Sequence, residues 1–398
     1  MRSLSARYEN LLIFILAAIQ FVHLLDFVIM MPLSPQFMEY FHIGPARFGL
    51  LVSAYTLSAG ISSLLGALYI DRFDRKAVTL FFFSGFTVAT LFCALSPTYE
   101  IFLTARVVSG AFGGLMASMV MSIIGDVFPP ERRGTATGYV MMAFSIVTVI
   151  GVPLGLWLND LSSWHLPFFF IAGLGLLLIP VIVLVLPRMR GHLDEGVVSP
   201  FATIKAIFTL PQHWTVFAFT ITTVMPAFMI IPYLAAYMVS NVGIGDEYLK
   251  HIYGVGGFCT LFTARMIGRA SDKYGKRRVF SLVALISMIP ILAMTHMPPV
   301  SFTILLVFSS LFFVFVSGRM VPGMAMIAGS IVPRFRGSFM SVNSSLRQLS
   351  MGLASFLAGL ILHKTQGGRL LHFEWVGYAA IVFTVLCIGF AQKLKAVS

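Results

Sequence analysis

Residues 268–277 read GRASDKYGKR and form a strongly charged loop between two long apolar segments. A related loop, DRFDRK at residues 71–76, lies 201 positions before its counterpart DKYGKR at residues 272–277. A second pair, PERRG at residues 130–134 and PRFRG at residues 333–337, repeats with an offset of 203 positions. Two independent matches at nearly one offset indicate that the chain consists of two related halves.

The composition places the whole chain in lipid. Of its 398 residues, 58% are hydrophobic and 11% are charged, and the mean hydropathy is +0.92, whereas soluble domains contain roughly 25% charged residues. We therefore predict an all-α membrane protein with twelve transmembrane helices in two pseudo-symmetric six-helix bundles. The twelve apolar stretches, each about as long as a bilayer-spanning helix, are residues 9–32, 48–70, 77–96, 99–125, 134–158, 166–187, 213–240, 247–269, 279–297, 300–332, 335–362 and 373–393.

The longest polar stretch divides the predicted helices into two sets of six. Residues 1–187 form the predicted N-terminal bundle, residues 188–212 a cytoplasmic linker, and residues 213–398 the C-terminal bundle. Two parallel repeats of six helices are an architecture of secondary transporters, whose solute site lies near the membrane midplane between the halves.

The net charge of +12 is explained by its distribution along the chain. Of the 27 Lys and Arg residues, nineteen fall on the side of the membrane predicted to hold the N-terminus, as the positive-inside rule requires of cytoplasmic segments. We predict a multi-pass protein of the bacterial cytoplasmic (inner) membrane with both termini in the cytoplasm, and we expect no nucleic-acid partner. Four basic residues fall on the opposite side (Arg47, Lys250, Lys364, Arg369) and four inside helices (Arg106, Arg265, Arg319, Arg347).

One acidic residue, Asp26, is predicted at membrane depth, about two-thirds of the way through helix 1. A charged group there costs about 2.5–3.5 kcal/mol on insertion scales, so its neutral form is favoured and Asp26 is a candidate proton carrier. Gln20 and His23 lie within the same third of the helix circumference. The alternative role for Asp26 is a hydrogen bond to a neighbouring helix.

Polar residues on helix 11 indicate a cavity in the second half. Asn343 and Arg347 share a narrow stripe, with Gln348 beside it, and Arg319 lies inside helix 10. We interpret these side chains as lining a water-filled substrate cavity. The alternative is a helix–helix interface held by side-chain hydrogen bonds.

Three of these motifs resemble those of the major facilitator superfamily. Residues 268–277 are similar to its signature loop in full, whereas Asp74 replaces a glycine in the first copy. The run beginning at Arg106 in helix 4 resembles the family's Arg-centred motif. Gly151-Val-Pro153-Leu-Gly155 in helix 5 resembles the antiporter motif of sugar-efflux and arabinose-efflux-like permeases. The resemblance implies the major facilitator fold, and the proton-coupled drug and sugar antiporter branch.

The resemblance also implies site roles. Arg106 would take part in proton transfer or in the polar network of the first half. Asp71 would engage the start of helix 11 as a conformational gate, with Arg75 as its ion-pair partner, and the second loop would contribute the corresponding gate residues Gly268, Asp272, Gly275 and Arg277. The two glycines permit tight turns and close approach, and we expect Asp71 and Asp272 to cap helix N-termini.

Small residues are dense where helices 5 and 8 are expected to meet. Gly151, Pro153 and Gly155 belong to helix 5 and are predicted to pack against helix 8, because small residues let membrane helices approach closely. The expected partners are Gly254, Gly256 and Gly257.

These features predict a proton-coupled efflux antiporter for a small amphiphilic or sugar-like solute, working by alternating access. One alternative is uptake or exchange of an anionic metabolite bound by Arg319 and Arg347, since the guanidinium fork matches carboxylate and phosphate. Another is a polytopic membrane enzyme, but the sequence shows no metal-spaced His or Cys cluster to support it. We expect no enzyme activity, cofactor or metal, and a monomer whose partners are its solute, protons and lipid.

Overall fold

The computed structural model describes residues 6–189, 207–331 and 336–394. It is almost entirely helical, and the prediction of an all-α membrane protein built from two six-helix bundles is confirmed. Most of the predicted linker, residues 190–206, lies outside the described residues. So do the side chains of Ala6, Ala67, Asp71, Pro130, Glu131, Arg336 and Gly337.

The first half contains six membrane helices, two of them interrupted, and one short helix that the sequence did not predict. The elements are α1 (Ala6–Ile29), the short α2 (Ser34–Tyr40), α3 (Pro45–Tyr69), a 3-10 turn (Ile70–Arg72), α4 (Arg75–Ala94), α5 (Tyr99–Gly113), α6 (Met116–Val127), α7 (Pro130–Ile146), a π turn (Val147–Gly151), α8 (Val152–Leu161) and α9 (His165–Val185). Helices α5 and α6 together form predicted helix 4, and α7 and α8 form helix 5.

The second half repeats this arrangement. Its elements are α10 (Pro211–Tyr237), a π turn (Met238–Val242), a 3-10 turn (Asp246–Tyr248), α11 (Leu249–Tyr274), α12 (Lys276–Thr295), α13 (Phe302–Gly318), α14 (Met320–Gly329), α15 (Arg336–Ile361), a two-stranded antiparallel hairpin of β1 (His363–Lys364) and β2 (Leu370–Leu371), and α16 (Phe373–Lys393). Helices α13 and α14 together form predicted helix 10.

The two halves break the same membrane helix at the same point. Helix 4 is interrupted between Gly113 and Met116, and helix 10 is interrupted at Arg319. Met116 and Arg319 are 203 positions apart, which is the offset of the sequence repeat. Arg319 therefore lies at a break in its helix.

Ten helical stretches in the described residues are long and apolar enough to span a membrane by composition alone. Helices α11 and α15 fall outside that set. Both contain charged side chains along their length, such as Arg265 in α11 and Arg347 in α15. These charged side chains lower the mean hydropathy of both helices.

The halves meet along two pairs of helices. Helix α3 packs along α15, where the Ser345 hydroxyl donates a hydrogen bond to the Gly60 carbonyl at 2.5 Å. Helix α8 and the π turn before it pack against α11. There the Thr148 carbonyl oxygen would lie 2.7 Å from a Cβ placed on Gly257, so the two backbones are in close contact.

The two described chain ends lie at one end of the molecule. The Tyr8 hydroxyl in α1 donates to the Val185 carbonyl at the end of α9, at 2.7 Å. The Arg277 guanidinium at the start of α12 donates to the Leu394 carbonyl just after α16, at 2.5 Å. We call this the terminal end, and the opposite end, which holds α2 and the β hairpin, the far end.

Candidate functional site

The candidate site is a buried polar cluster where four helices of the first half converge. Asp26 on α1 is fully buried, and its Oδ2 lies 2.8 Å from Nη1 of Arg106 on α5. The Thr90 hydroxyl on α4 donates to the other carboxylate oxygen at 3.1 Å. Asp26 thus joins α1 to two helices of its own bundle through one ion pair and one hydrogen bond.

Arg106 is enclosed on its other side by an aromatic ring. Its guanidinium carbon lies 4.3 Å from the centroid of the Tyr55 ring on α3, within the range of an attractive cation–π interaction. Arg106 is also fully buried, so its side chain does not extend to the lipid headgroups. Its place in the polar network of the first half agrees with the role implied by the sequence motif.

The cluster contains several polar atoms that make no hydrogen bond with any described residue. They are Gln20 Oε1, His23 Nδ1, the Tyr55 hydroxyl, and Nε and Nη2 of Arg106, all buried. The His23 ring lies between Tyr55 and Phe86, at centroid distances of 6.4 Å and 5.7 Å. The structure therefore brings the predicted residues Gln20, His23, Asp26 and Arg106 into one region with donors and acceptors still free to bind.

Thr90 and Tyr55 belong to this cluster although the sequence did not indicate them. Threonine and tyrosine are common in membrane helices, and neither residue lies in a motif. The sequence indicated their role only weakly, in that both polar side chains lie within membrane helices, Thr90 in α4 and Tyr55 in α3. Their roles depend on how α3 and α4 pack around Asp26, which the sequence of either helix alone does not specify.

The second half has a buried cation in place of an ion pair. Arg319 is fully buried, and its Nη1 donates to the Thr384 hydroxyl on α16 at 3.2 Å. Its Nε and Nη2 have no hydrogen-bond partner among the described residues. Leaving a buried charge without an opposite charge is costly, so this guanidinium has unused capacity to bind an anion.

The polar stripe of α15 is divided between an interface and a less buried face. The Thr220 hydroxyl on α10 donates to the Asn343 side-chain oxygen at 2.7 Å, so Asn343 is part of a helix–helix contact. Arg347 and Gln348 are half-buried. The structure therefore places Asn343 in a helix contact and leaves the Arg347 and Gln348 side chains partly exposed.

In the first charged loop, Arg75 has a partner on α6 that the sequence did not indicate. Arg75 forms an ion pair with Asp126 at the end of α6, with 3.2 Å between Nε and Oδ2. The Asp71 side chain, its expected partner, lies outside the described residues. Asp74 accepts a hydrogen bond from the Lys76 backbone N–H at 2.9 Å and so caps the N-terminus of α4. The residue that departs from the family motif is thus the helix cap.

The second charged loop contains one confirmed feature and two corrections. Gly275 joins α11 to α12 with φ +93°, a conformation that favours glycine, as predicted. The expectation that Asp272 caps a helix N-terminus is wrong, because Asp272 is exposed in the last turn of α11. Gly268 is not required for close approach either, since a Cβ there would lie 3.7 Å from Val321, an ordinary contact. Arg277 ties α12 to the residue after α16, as described above.

The predicted packing of helix 5 is corrected in part. Gly151 and Gly155 face Leu25 and Ile29 on α1 instead of helix 8. Pro153 does lie beside Gly254 of α11, at 3.4 Å from a Cβ placed there. Gly151 and Gly155 are four residues apart and share the face toward α1, whereas Pro153 lies on the opposite face toward α11.

One glycine of α11, Gly256, does not make the predicted contact with helix 5. Gly256 packs against Phe313 on α13 of its own half, and only Gly257 and Gly254 meet helix 5 at the described positions. Glycine density along a helix therefore indicated close packing, but not which neighbouring helix supplies the contact.

Two packed six-helix bundles with charged groups buried inside each are the architecture of a secondary transporter. The sequence profile of the Major Facilitator Superfamily matches residues 16–228 and 216–395. An uncharacterised MFS-type transporter of Bacillus subtilis (strain 168), YceJ, is 23% identical over 377 residues, covering 93% of each chain. A second from the same organism, YbcL, is 23% identical over 379 residues, covering 94% of each chain.

Solved structures show the same fold. A bacterial homologue of the human lysosomal transporter Spinster, in an inward-facing and unoccupied conformation, matches with a TM-score of 0.78 and 16% identity over 98% of both chains. A D-xylose–proton symporter matches with a TM-score of 0.77 and 14% identity, over 99% of this chain and 98% of that one. The chain belongs to the Major Facilitator Superfamily. It is a membrane-spanning secondary transporter of a small molecule, not an enzyme.

Proposed function

We propose that this transporter exchanges protons for a small amphiphilic or sugar-like solute and exports that solute across the bacterial inner membrane, with both termini in the cytoplasm. The observation that supports proton coupling is the buried Asp26–Arg106 pair. In the pair, Asp26 is a carboxylate that can accept a proton, and because both side chains are buried its charge state responds to the groups that bind nearby.

Protonation of Asp26 would change the charge of the cluster by one unit. The charged carboxylate can accept hydrogen bonds from a polar solute, and protonation removes that charged acceptor. A polar solute at the cluster would then compete with, or alternate with, the proton. This competition is the basis of exchange.

Movement of the halves would complete the transport cycle. The contacts between α3 and α15 and between α8 and α11 run along the boundary of the two bundles. Rocking about this boundary would expose the cluster to one side of the membrane and then the other. The export direction rests on the resemblance of residues 151–155 to an antiporter motif.

The membrane orientation follows from the basic residues. The terminal end holds the two charged loops and both described chain ends, and it contains most of the Lys and Arg residues that the structure describes. The positive-inside rule therefore supports a cytoplasmic terminal end.

The test begins with the solute. A thermal-shift screen of the purified protein against dyes, sugars, amino acids and organic anions should reveal binders, because a bound ligand stabilises by mass action. A binder is then assayed in everted membrane vesicles. The proposal requires accumulation that depends on a pH gradient and stops when a protonophore is added. Accumulation that is indifferent to the protonophore would refute proton coupling.

A second candidate function is exchange or uptake of an anionic solute. The observation that favours it is Arg319, a buried cation with two nitrogen atoms that have no partner among the described residues. In the same screen, stabilisation by organic anions only, lost in Arg319→Gln, would favour this function over export of a neutral or amphiphilic solute.

A further inference from the structure

The far end contains polar contacts that join the two halves directly. The Gln36 side-chain amide on α2 donates to Oδ2 of Asp246 at 2.7 Å. Lys250 of α11 forms an ion pair with Asp160 of α8, also at 2.7 Å. The Ala236 backbone N–H of α10 donates to the Ser34 hydroxyl at 3.2 Å. Each contact has one partner in each half, so together they hold the far end closed.

Asp246 lies outside the membrane-spanning segments, in the 3-10 turn that precedes α11. Three carboxylates act on it: Glu39 from α2, Glu247 from the same turn and Asp160 from α8. Partial burial and these negative charges raise the pKa of Asp246, while the Gln36 hydrogen bond acts in the opposite direction. Lys250, four residues after Asp246 in the chain, is paired with Asp160.

Gln36 is suited to hold Asp246 in either protonation state. Its amide nitrogen donates to the charged carboxylate, and its Oε1 is buried without a hydrogen-bond partner among the described residues. A protonated carboxyl group has a hydrogen to donate. The protonated Asp246 carboxyl can then donate to Gln36 Oε1 while its other oxygen accepts from the Gln36 amide nitrogen. Protonation also removes the charge repulsion between Asp246 and the neighbouring carboxylates.

We propose that Asp246 is a proton-binding site, separate from the Asp26 cluster, and that proton binding there latches the far ends of the two halves together through Gln36. This role goes beyond the proposed exchange function and does not depend on it. Acid on the side of the membrane that the far end faces would therefore favour the state closed on that side.

The direction of the effect follows from linkage. When the halves separate at the far end, Asp246 leaves the neighbouring carboxylates of α2 and α8 and becomes accessible to water. Its pKa then falls toward the ordinary value of an aspartic acid. The closed state binds the proton more tightly than the open state, so lowering the pH through the raised pKa stabilises the closed state.

Distances between spin labels across the far end test this proposal in the full-length purified protein. Ser162, after α8, and Ser301, before α13, are exposed on opposite halves. Both are changed to Cys in a Cys259→Ala background, since Cys93 and Cys387 are buried. Double electron–electron resonance should show a growing short-distance population as the pH falls from about 8 to about 5, across the range of a raised carboxyl pKa.

Two variants and one control decide the result. Asp246→Asn, which mimics the neutral acid, should keep the short-distance population at every pH, and Gln36→Leu should reduce it at every pH. Glu100→Gln removes an exposed carboxylate of α5 outside this group and should leave the pH dependence unchanged. A pH-dependent shift in Asp246→Asn equal to that of the parent protein, or longer distances at low pH, would overturn the proposal.

Discussion

Asp26 and Arg106 form an ion pair of 2.8 Å in which both side chains are completely buried, although 80 positions separate them in the chain. The pair connects α1 to α5 inside one bundle, so it is part of the fold of the first half as well as a candidate proton site. A substitution at Asp26 therefore alters stability and function together, and the two effects have to be measured separately.

The first prediction separates stability from function with a double-mutant cycle. Asp26→Asn leaves the Arg106 charge buried without its partner, so it should destabilise the protein by about 3–5 kcal/mol. The combined Asp26→Asn and Arg106→Gln variant removes both charges and should be clearly more stable than Asp26→Asn alone. Unfolding of each variant in detergent measures this. A double variant as unstable as the sum of the two single variants would contradict a direct interaction.

The second prediction concerns the helix cap at Asp74. Its carboxylate accepts the Lys76 backbone N–H at 2.9 Å, so Asp74→Ala should destabilise the protein by about 0.5–2 kcal/mol. Asp74→Asn is the matched control, because asparagine caps helices about as well as aspartate. Thermal unfolding of the two variants checks this, and equal midpoints for Ala and Asn would show that the cap contributes nothing.

The third prediction concerns the gate role implied for Asp71 by the family resemblance. Asp71→Asn should leave expression and the melting temperature near those of the parent but slow solute exchange, because the change affects a conformational equilibrium rather than the solute site. Counterflow in proteoliposomes gives the rate, with Asp74→Asn as the control in the same loop. Normal exchange by Asp71→Asn would remove Asp71 from the gate.

The fourth prediction concerns orientation. Lys364 in the β hairpin and Lys276 at the start of α12 are both exposed, at the far end and the terminal end respectively. In whole cells, a membrane-impermeant maleimide should label Lys364→Cys directly and Lys276→Cys only after the membrane is made permeable. Labelling in the reverse order would place the terminal end outside.

The fold could be predicted because its signals are local and repeated. Helix length and hydropathy follow from the thickness of the bilayer. The two pairs of charged motifs, repeated at nearly the same offset, indicated the two halves. The break at Arg319 and the short helix α2 were not predictable in the same way. The short helix depends on how neighbouring helices pack. The break at Arg319 does have a local signal, because Gly318 precedes it and Pro322 follows three residues later, but a proline inside an apolar stretch does not by itself fix where the helix ends.

The candidate site could be predicted only from its charged members. Asp26 was identifiable because a carboxyl group at membrane depth is costly, and Arg106 because it lies in a family motif. That the two form a pair is a tertiary relationship, and so are the contacts of Thr90 and Tyr55 with them. The sequence did indicate the capping role of Asp74, because an aspartate directly before a helix is a typical N-cap. Its departure from the family motif obscured that role.

Proton-coupled exchange requires Asp26 to release its proton when the solute binds. The most direct measurement is proton release when a solute found in the screen binds to purified protein in weakly buffered detergent solution containing a pH indicator. The parent protein should release protons in proportion to the solute bound. The double variant of Asp26→Asn with Arg106→Gln should bind solute without releasing protons, and His23→Gln should still release them. Undiminished proton release by the double variant would contradict the account, because the proton would then come from another residue.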